Sequence, residues 1–385
     1  MRVMFWSAVH WPHIGGVQEL ANNLLPALQE RGHRFVVVSD QDSPDLPAQD
    51  KHRGVRIVRF PLSGSLRDID RLARIRRQIH ELKREFAPEL HHTVALGTTD
   101  FYYQITARFR PAPRLVSLFG QWPPLYDRFL GSILSTADWV VCDSDNSQEY
   151  ARRLLPDTAL RSSVIHNAIS IPPQELAPPS WHPPTLLYLG RLSPEKGVDL
   201  ALEALALLRE EHPDARLIIA GDGPERERLE QQAHDLALSK AVCFKGWVAQ
   251  EAIPSLLNQA VLLVLPSRSD SFPLAGLQAA SMQRPTVATR VGGLPELILD
   301  HQTGLLVERE NPSALAGAIA SLLNDPEETI LMGKAARKRA LAEFRFDKLV
   351  DAYEMVYHKA VREGVEYGGS QKPEDTMMRG GAESR

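Results

Sequence analysis

Short apolar runs alternate with longer amphipathic segments from one end of the chain to the other, and this alternation restricts the fold more than any other feature. "RVMFW", "FVVVSD", "VRIVRF", "ELHHTV", "RLVSLF" and "WVVCDS" read as buried strands in the first half; "TLLYLG", "RLIIAG", "VCFKG", "VLLVLPS" and "TVAT" do so in the second. Runs this apolar fit strands covered on both faces. The intervening segments carry helical spacing. From Val17 to Glu30, for example, Val17, Leu20, Ala21, Leu24 and Leu28 share one face, with Pro26 expected to kink the helix. Strand, helix, strand in series predicts an α/β chain with parallel sheets. At 385 residues the chain exceeds what one hydrophobic core organises, so two domains are expected.

"ISIPPQELAPPSWHPPTLL" divides the halves. Its pairs Pro172-Pro173, Pro178-Pro179 and Pro183-Pro184 cannot continue a helix or a central strand and favour stiff extended chain. The predicted layout is a Rossmann-like domain over residues 1–170, a linker over 171–184 and a second Rossmann-like domain over 185–345. A helix over 346–365 is expected to pack back towards the first domain. Residues 366–385, rich in Gly, Ser and charge, read as a disordered tail. Doubly wound sheets hold ligands at the strand C-termini, which places the expected sites in the cleft between the domains.

Composition removes several classes. A net charge of -4, with no basic stripe among aromatics, gives no reason for a nucleic-acid partner. Cys142 and Cys243 each sit in an apolar run and read as core residues. Two isolated thiols make neither a disulfide framework nor a zinc site, and they fit a reducing cytoplasm. No apolar stretch approaches the ~20 residues that span a bilayer, and "MRVMFWSAVHWPHIGG" lacks a secretory apolar region, so a cytoplasmic protein is expected.

Four stations carry chemistry. In "WSAVHWPHIGGVQEL", Gly15 and Gly16 stand at a strand-to-helix turn, where backbone N–H groups either approach an anion or simply close the turn. No third glycine completes a dinucleotide fingerprint. In "LLYLGRLSPEKGVDLALEAL" the strand ends at Gly190, Ser193 suits a helix N-cap and Pro194 the first helical position. Arg191 and Lys196 are either two solvated cations or, as planar fork and mobile point charge, a pair that neutralises a diphosphate. Gly221 and Gly223 in "AGDGP" permit a further close backbone approach, and the chain at Gly246, Trp247 and Val248 could edge a flat base. Lastly, "VLLVLPS" delivers Asp270 to a strand C-terminus and a helix over 273–283 carries Gly276 and Gln278. "GGLPELI" then turns Gly292, Gly293 and Glu296 to the same edge.

The series GRL-x-x-EKG, AGDGP, PS-x-x-D-x-FP, GG-x-PE and TGLLV, in this order, resembles the GT-B glycosyltransferases of the family-4 type, over roughly residues 1–360. The resemblance implies a GT-B fold, two doubly wound Rossmann-like domains facing across a cleft. The second domain would hold the nucleotide sugar and the first the acceptor. It implies a retaining, metal-independent glycosyltransferase that needs no cofactor and takes a UDP-, GDP- or ADP-sugar as co-substrate; the acceptor stays unassigned. Arg191 and Lys196 would grip the diphosphate and stabilise the charge that develops as it leaves. Asp270 would contact sugar hydroxyls, and the chain after it, at Ser271, Phe272 and Leu274, would reach sugar or phosphate. Gly15, Gly16, Gly190, Gly221, Gly223, Trp247 and Val248 complete the implied donor-binding set. Asn167 matches a turn that closes the first domain. The strings Asp40-Gln41-Asp42, Asp68-Ile69-Asp70 and Asp143-Ser144-Asp145 are read as solvated rather than as metal ligands.

The chain departs from the family pattern at three points. The expected Glu-x7-Glu pair is Asp270 and Gln278. An amide accepts from one hydroxyl of a ribose diol and donates to the other, at a loss of roughly 1–2 kcal/mol of charge assistance. Phe119 stands where relatives often show a histidine, so His10 and His13 are either acceptor-side groups or ordinary loop residues. These departures motivate an alternative reading, a catalytically silent GT-B-like subunit that binds nucleotide or a partner; Arg191 and Lys196 argue against it. The helix over 65–86 has Leu66, Ile69, Leu72, Ile75, Ile79, Leu82 and Phe86 as a buried stripe and seven cations against four carboxylates. Its outer face is either solvated or a peripheral contact with anionic lipid.

Overall fold

A computed structural model of the chain describes residues 1–368 apart from 14, 66, 121, 173 and 174. The expectations for Leu66, Pro173 and residues 369–385 therefore lie outside the described residues. Two sheets form. The first holds β1 (Arg2–Trp6), β2 (Arg34–Asp40), β3 (Gln49–His52), β4 (Val55–Phe60), β5 (Leu90–Val94), β6 (Arg114–Leu118), β7 (Trp139–Cys142) and β8 (Ser162–Val164). Their order is β3-β4-β2-β1-β5-β6-β7-β8, parallel except for β3. The second holds β9 (Thr185–Leu189), β10 (Arg216–Ala220), β11 (Val242–Gly246), β12 (Leu262–Leu265), β13 (Thr286–Thr289) and β14 (Gly304–Val307), in the order β11-β10-β9-β12-β13-β14. All its neighbouring pairs are parallel.

Alternating strand residues fill opposite layers, which is why each sheet is covered on both faces. Val3, Phe5 and Val37 meet helix Gly16–Glu30 through Leu24, Leu25 and Leu28. Met4, Trp6, Val36 and Val38 meet helix Ile69–Phe86 through Ile75, Ile79 and Leu82. In the second sheet Tyr188, Leu217 and Ile219 pack with helix Val198–Leu208, while Leu187, Leu263 and Leu265 pack with helix Leu274–Ser281.

The last helix, Phe346–Gly368, crosses back: Leu349, Val350, Tyr353, Tyr357 and Ala360 complete the core of the first sheet. Tyr357 Oη lies 2.8 Å from His92 Nδ1, both buried. The chain thus passes between the domains twice, and the two passages pair. Ile169 N donates to Phe344 O at 2.9 Å, and Phe346 N donates to Ile169 O at 3.1 Å.

Several local expectations are corrected. Cys142 is buried but Cys243 is exposed, because β11 is an edge strand with alternating burial. The basic helix starts at Ile69, with the Asp68 carboxylate accepting from Arg71 N at 2.9 Å. Ile69, in that first turn, is 75% exposed and leaves the predicted stripe. Lys83 leaves the basic face. It is fully buried, donates to Thr106 O at 2.7 Å and lies over the rings of Trp6 and Tyr103, and burial pushes its pKa down to about 7. Arg71 folds onto the carbonyls of Pro61 and Ser63. Among the described residues no helix is long and apolar enough to cross a membrane.

Candidate active site

Parallel order puts the C-terminal ends of β1, β5, β6 and β7 on one edge of the first sheet, and those of β9, β10, β11, β12 and β13 on one edge of the second. The two edges face each other. A cleft of about 590 Å³ between them is lined by Trp11, Asn23 and His52 of the first domain and by Trp247, Leu274 and Gln278 of the second. That volume suits a small-molecule ligand.

After β9, Ser193 precedes a single 3₁₀ turn, Pro194–Lys196, and Gly197 follows in the left-handed region at φ 65° before the next helix. This turn presents Lys196, whose Nζ lies 2.8 Å from Asp270 Oδ2. Ser267 Oγ donates to the same oxygen at 3.0 Å. Asp270 is 8% exposed at its side chain and Lys196 26%, so the pair is screened from water but reachable. Arg191, at the start of the same turn, is exposed and makes no ion pair among the described residues. The edge therefore offers one cation held by a carboxylate and one, Arg191, in no direct ion pair among the described residues, with Glu195 the nearby carboxylate that feels its charge.

Glycine geometry shapes the loop. Gly292 has φ 53°, and a Cβ there would stand 1.7 Å from Asp270 O, so the GG-x-PE turn presses directly on the Asp270 backbone. Gly221, at φ 151°, would bring a Cβ to 1.8 Å from Gly190 O, which nests the turns after β9 and β10. Gln278 is half-buried, and its Nε2 donates to Gln250 Oε1 at 2.7 Å. Ser271 N donates to Asp270 Oδ1 at 3.1 Å, so that amide is already engaged within its own loop. Phe272 is 2% exposed and its ring packs against His166 and Phe344, away from the open cleft. Val248 packs against the core of the second domain.

On the first domain, Gly16 opens helix Gly16–Glu30, and a side chain at Gly15 would collide with Gln18. His13 is half-exposed and pairs with Asp42 at 2.9 Å. His10 is 3% exposed; burial, then the charges of His52 and Arg59, push its pKa down to about 4, so it is neutral at pH 7. Phe119 is half-buried and leads into Gly120.

Of the acidic strings read as solvated, Asp42, Asp68, Asp70 and Asp145 are exposed, whereas Asp40 and Asp143 are buried. Asp40 accepts from Leu62 N at 2.8 Å and from Ser63 N at 3.2 Å, and Asp68 is a helix cap. Asp143, 2% exposed, accepts from Ser147 Oγ at 2.9 Å and from Ser271 Oγ of the other domain. Both buried carboxylates end strands, where loop amides and hydroxyls replace water as their partners. The signal was in the sequence: "WVVCDS" puts Asp143 at a strand C-terminus, the edge where ligands were expected.

Two further contacts join the domains. Asn167 Nδ2 donates to Phe272 O at 2.7 Å. Glu296 accepts from Asp145 N at 2.7 Å and Asn146 N at 2.9 Å, at the start of helix Asp145–Leu154, and lies 3.0 Å from His166 Nε2. Burial alone would raise the Glu296 pKa, but His166 and the two amides outweigh it and hold the carboxyl below its ordinary range. Among the described residues, His33, Glu354 and His358 form one group with metal-ligand atoms, and Asp145, His166 and Glu296 another. Their half-buried carboxylates are already bonded, Glu354 to Arg31 and His33, Glu296 to His166 and the helix amides.

Two family models cover this architecture, Glycosyltransferase Family 4 over residues 14–171 and Glycosyl transferases group 1 over 178–339. The chain belongs to the family-4 type of GT-B glycosyltransferases. Sucrose-phosphate synthase from Thermosynechococcus elongatus superposes with a TM-score of 0.78 at 22% identity, over 96% of this chain and 100% of that one. Anabaena Alr3699/HepE, solved with UDP and glucose, gives 0.77 at 20% identity over 93% and 100%. Glycogen synthase of Mycobacterium tuberculosis is 34% identical over 225 residues, 58% of this chain and 54% of the relative. The α-D-kanosaminyltransferase of Streptomyces kanamyceticus is 35% identical over 176 residues, 46% of each. The matches span about half the length of these curated relatives.

Proposed function

We propose that this chain transfers a glycosyl group from a nucleoside-diphosphate sugar to an acceptor hydroxyl, with retention of configuration and without a metal ion. The observation that carries the reading is the 2.8 Å pair of Lys196 and Asp270, on the same turn as the unpaired Arg191, at the edge facing the cleft. A diphosphate entering this edge takes Arg191 as its first counter-charge and competes with Asp270 for Lys196. Asp270, released, accepts hydrogen bonds from sugar hydroxyls. As the bond from the anomeric carbon to the phosphate oxygen breaks, the two cations stabilise the growing negative charge. The acceptor oxygen bonds to the same face, and its proton passes to the departing phosphate. No protein nucleophile is required.

That Alr3699/HepE is solved with UDP-glucose supports the donor class. The test is release of nucleoside diphosphate from UDP-, GDP- and ADP-sugars in the presence of a chelator, with the product anomer read by NMR. One donor should turn over with retention, and Arg191→Ala should lower turnover about 100-fold or more. Gln278, tied to Gln250 where a carboxylate was expected, favours a silent nucleotide-binding subunit as the second reading. Nucleotide binding without turnover of any donor, across an acceptor screen, would establish that reading instead.

A further inference from the structure

We infer that Asp143 is a positioning residue through which the first domain holds the donor loop in its reacting arrangement; the inference rests on the transfer reaction proposed above. Asp143 directly follows β7, and the β6–β7 register, with Leu118 opposite Cys142, sets it beside Phe119. At an edge where Phe119 supplies no polar group, the neighbouring strand supplies a carboxylate. Its Oδ1 gathers three donors: Ser271 Oγ across the cleft, Ser147 Oγ at 2.9 Å and, more distantly, Gly120 N at 3.4 Å. Ser147 Oγ reinforces the junction, lying 3.2 Å from Ser271 Oγ and accepting from Gly120 N at 3.2 Å.

Ser271 is the residue after Asp270, so this junction and the Lys196–Asp270 pair sit on one short loop. The loop is clamped on its other side by its own domain, since a Cβ at Gly293 would lie 1.8 Å from Ser271 O. Asp143 therefore completes a two-sided grip, and separating the domains opens it. No salt bridge compensates this carboxylate among the described residues, and its hydrogen-bonding groups are hydroxyls and an amide. Burying an unpaired carboxylate is expensive, and an interface that needed only to close could do so with an apolar side chain. The burial that makes it costly also raises its pKa. The charge at this place is explained by what it holds: a hydroxyl one residue from the group that engages Lys196.

The test is a double-mutant cycle of Asp143→Ala and Ser271→Ala, with Asp143→Asn as the conservative variant. The probe is whichever of UDP, GDP or ADP the wild type binds, with kcat and KM for the matching sugar nucleotide and thermal unfolding as a control. Each single Ala variant should weaken nucleotide binding about tenfold, and the double variant no more than either, because the two side chains act as one contact. Asp143→Asn, which still accepts from Ser271, should recover most of the loss, and the effect should fall on KM more than on the unfolding temperature. Should Asp143→Ala unfold, the cycle is run with Asp143→Asn in its place, and Ser271→Ala, which leaves the first domain intact, still tests the contact from the other side. Additive losses, an Asn variant as defective as Ala, or unchanged binding in all variants would overturn the inference while leaving the transfer reaction standing. Absence of nucleotide binding by the folded wild type would overturn the reaction, and the inference with it.

Discussion

Replacing Glu296 with Ala should loosen the two domains without unfolding either. Its carboxylate caps two amides of helix Asp145–Leu154 and meets His166, all on the first domain, while Glu296 itself belongs to the second. Loss of a helix cap costs about 1 kcal/mol, and hydrogen bonds to a charged group about 1.5–3 kcal/mol. Both His166 and Glu296 keep partial solvent access, which lowers the total. About 2 kcal/mol is a reasonable net figure, equivalent to a shift of roughly thirtyfold towards the open arrangement. The assay is small-angle scattering for the mean radius, together with hydrogen exchange at residues 145–148. The variant should expand and exchange faster at that helix start, and Glu296→Gln, which still accepts, should fall between. The pH dependence has a definite sign. A carboxyl whose folded pKa is depressed contributes above its unfolded value, near 4.3, and loses that contribution as pH falls through the folded value. The wild-type advantage over the Ala variant should thus hold from pH 7 to pH 5, begin to shrink near the unfolded value and vanish only once the pH has fallen through the depressed folded value. Equal radius and equal exchange in the two proteins at pH 7 would refute the clasp.

Three other outcomes are expected. Gln278→Glu, by placing charge at the proposed ribose contact, should tighten nucleotide binding up to about tenfold by calorimetry, despite the lost Gln250 bond. Asp100→Ala should destabilise the first domain by about 3–5 kcal/mol in urea, because it strands the buried Arg114 guanidinium now paired at 2.6 Å. Mild acid should weaken the same domain: burial depresses His10 to about 4 and His92 to about 3, so the unfolded chain takes up protons first. Stability should be full above pH 6.5 and fall progressively below it, His10 alone accounting for about 3 kcal/mol by pH 4; a flat unfolding temperature from pH 7 to pH 5 would contradict this.

The paired sheets were legible because most central strands are short, largely apolar runs, as a parallel strand buried on both faces requires, although β5, "LHHTV", carries buried histidines instead. β3, "QDKH", escaped because it is a polar antiparallel edge whose pairing with β4 has no apolar signature. β8, "SSV", escaped because three half-buried residues carry no period. Arg191, Lys196, Asp270 and the glycine turns were visible as motifs, since the backbone approaches at Gly221 and Gly292 tolerate no side chain. Asp143, Lys83 and the partners of Glu296 were not visible as motifs. Their roles come from groups 23 to 151 positions away in the chain, and spacing in sequence says nothing of those. Cys243 shows the same limit from the other side, an apolar context that the sheet edge leaves exposed.

We propose that the sheet edge bearing Arg191 and Lys196 grips a nucleoside diphosphate. Calorimetric titration of UDP, GDP and ADP into the wild type, Arg191→Ala and Lys196→Ala tests it most directly. One nucleotide should bind the wild type and bind each variant at least about tenfold more weakly, in keeping with loss of a charge-assisted contact. Binding that both variants retain unchanged, or no binding of any nucleotide to folded wild type, would contradict the account.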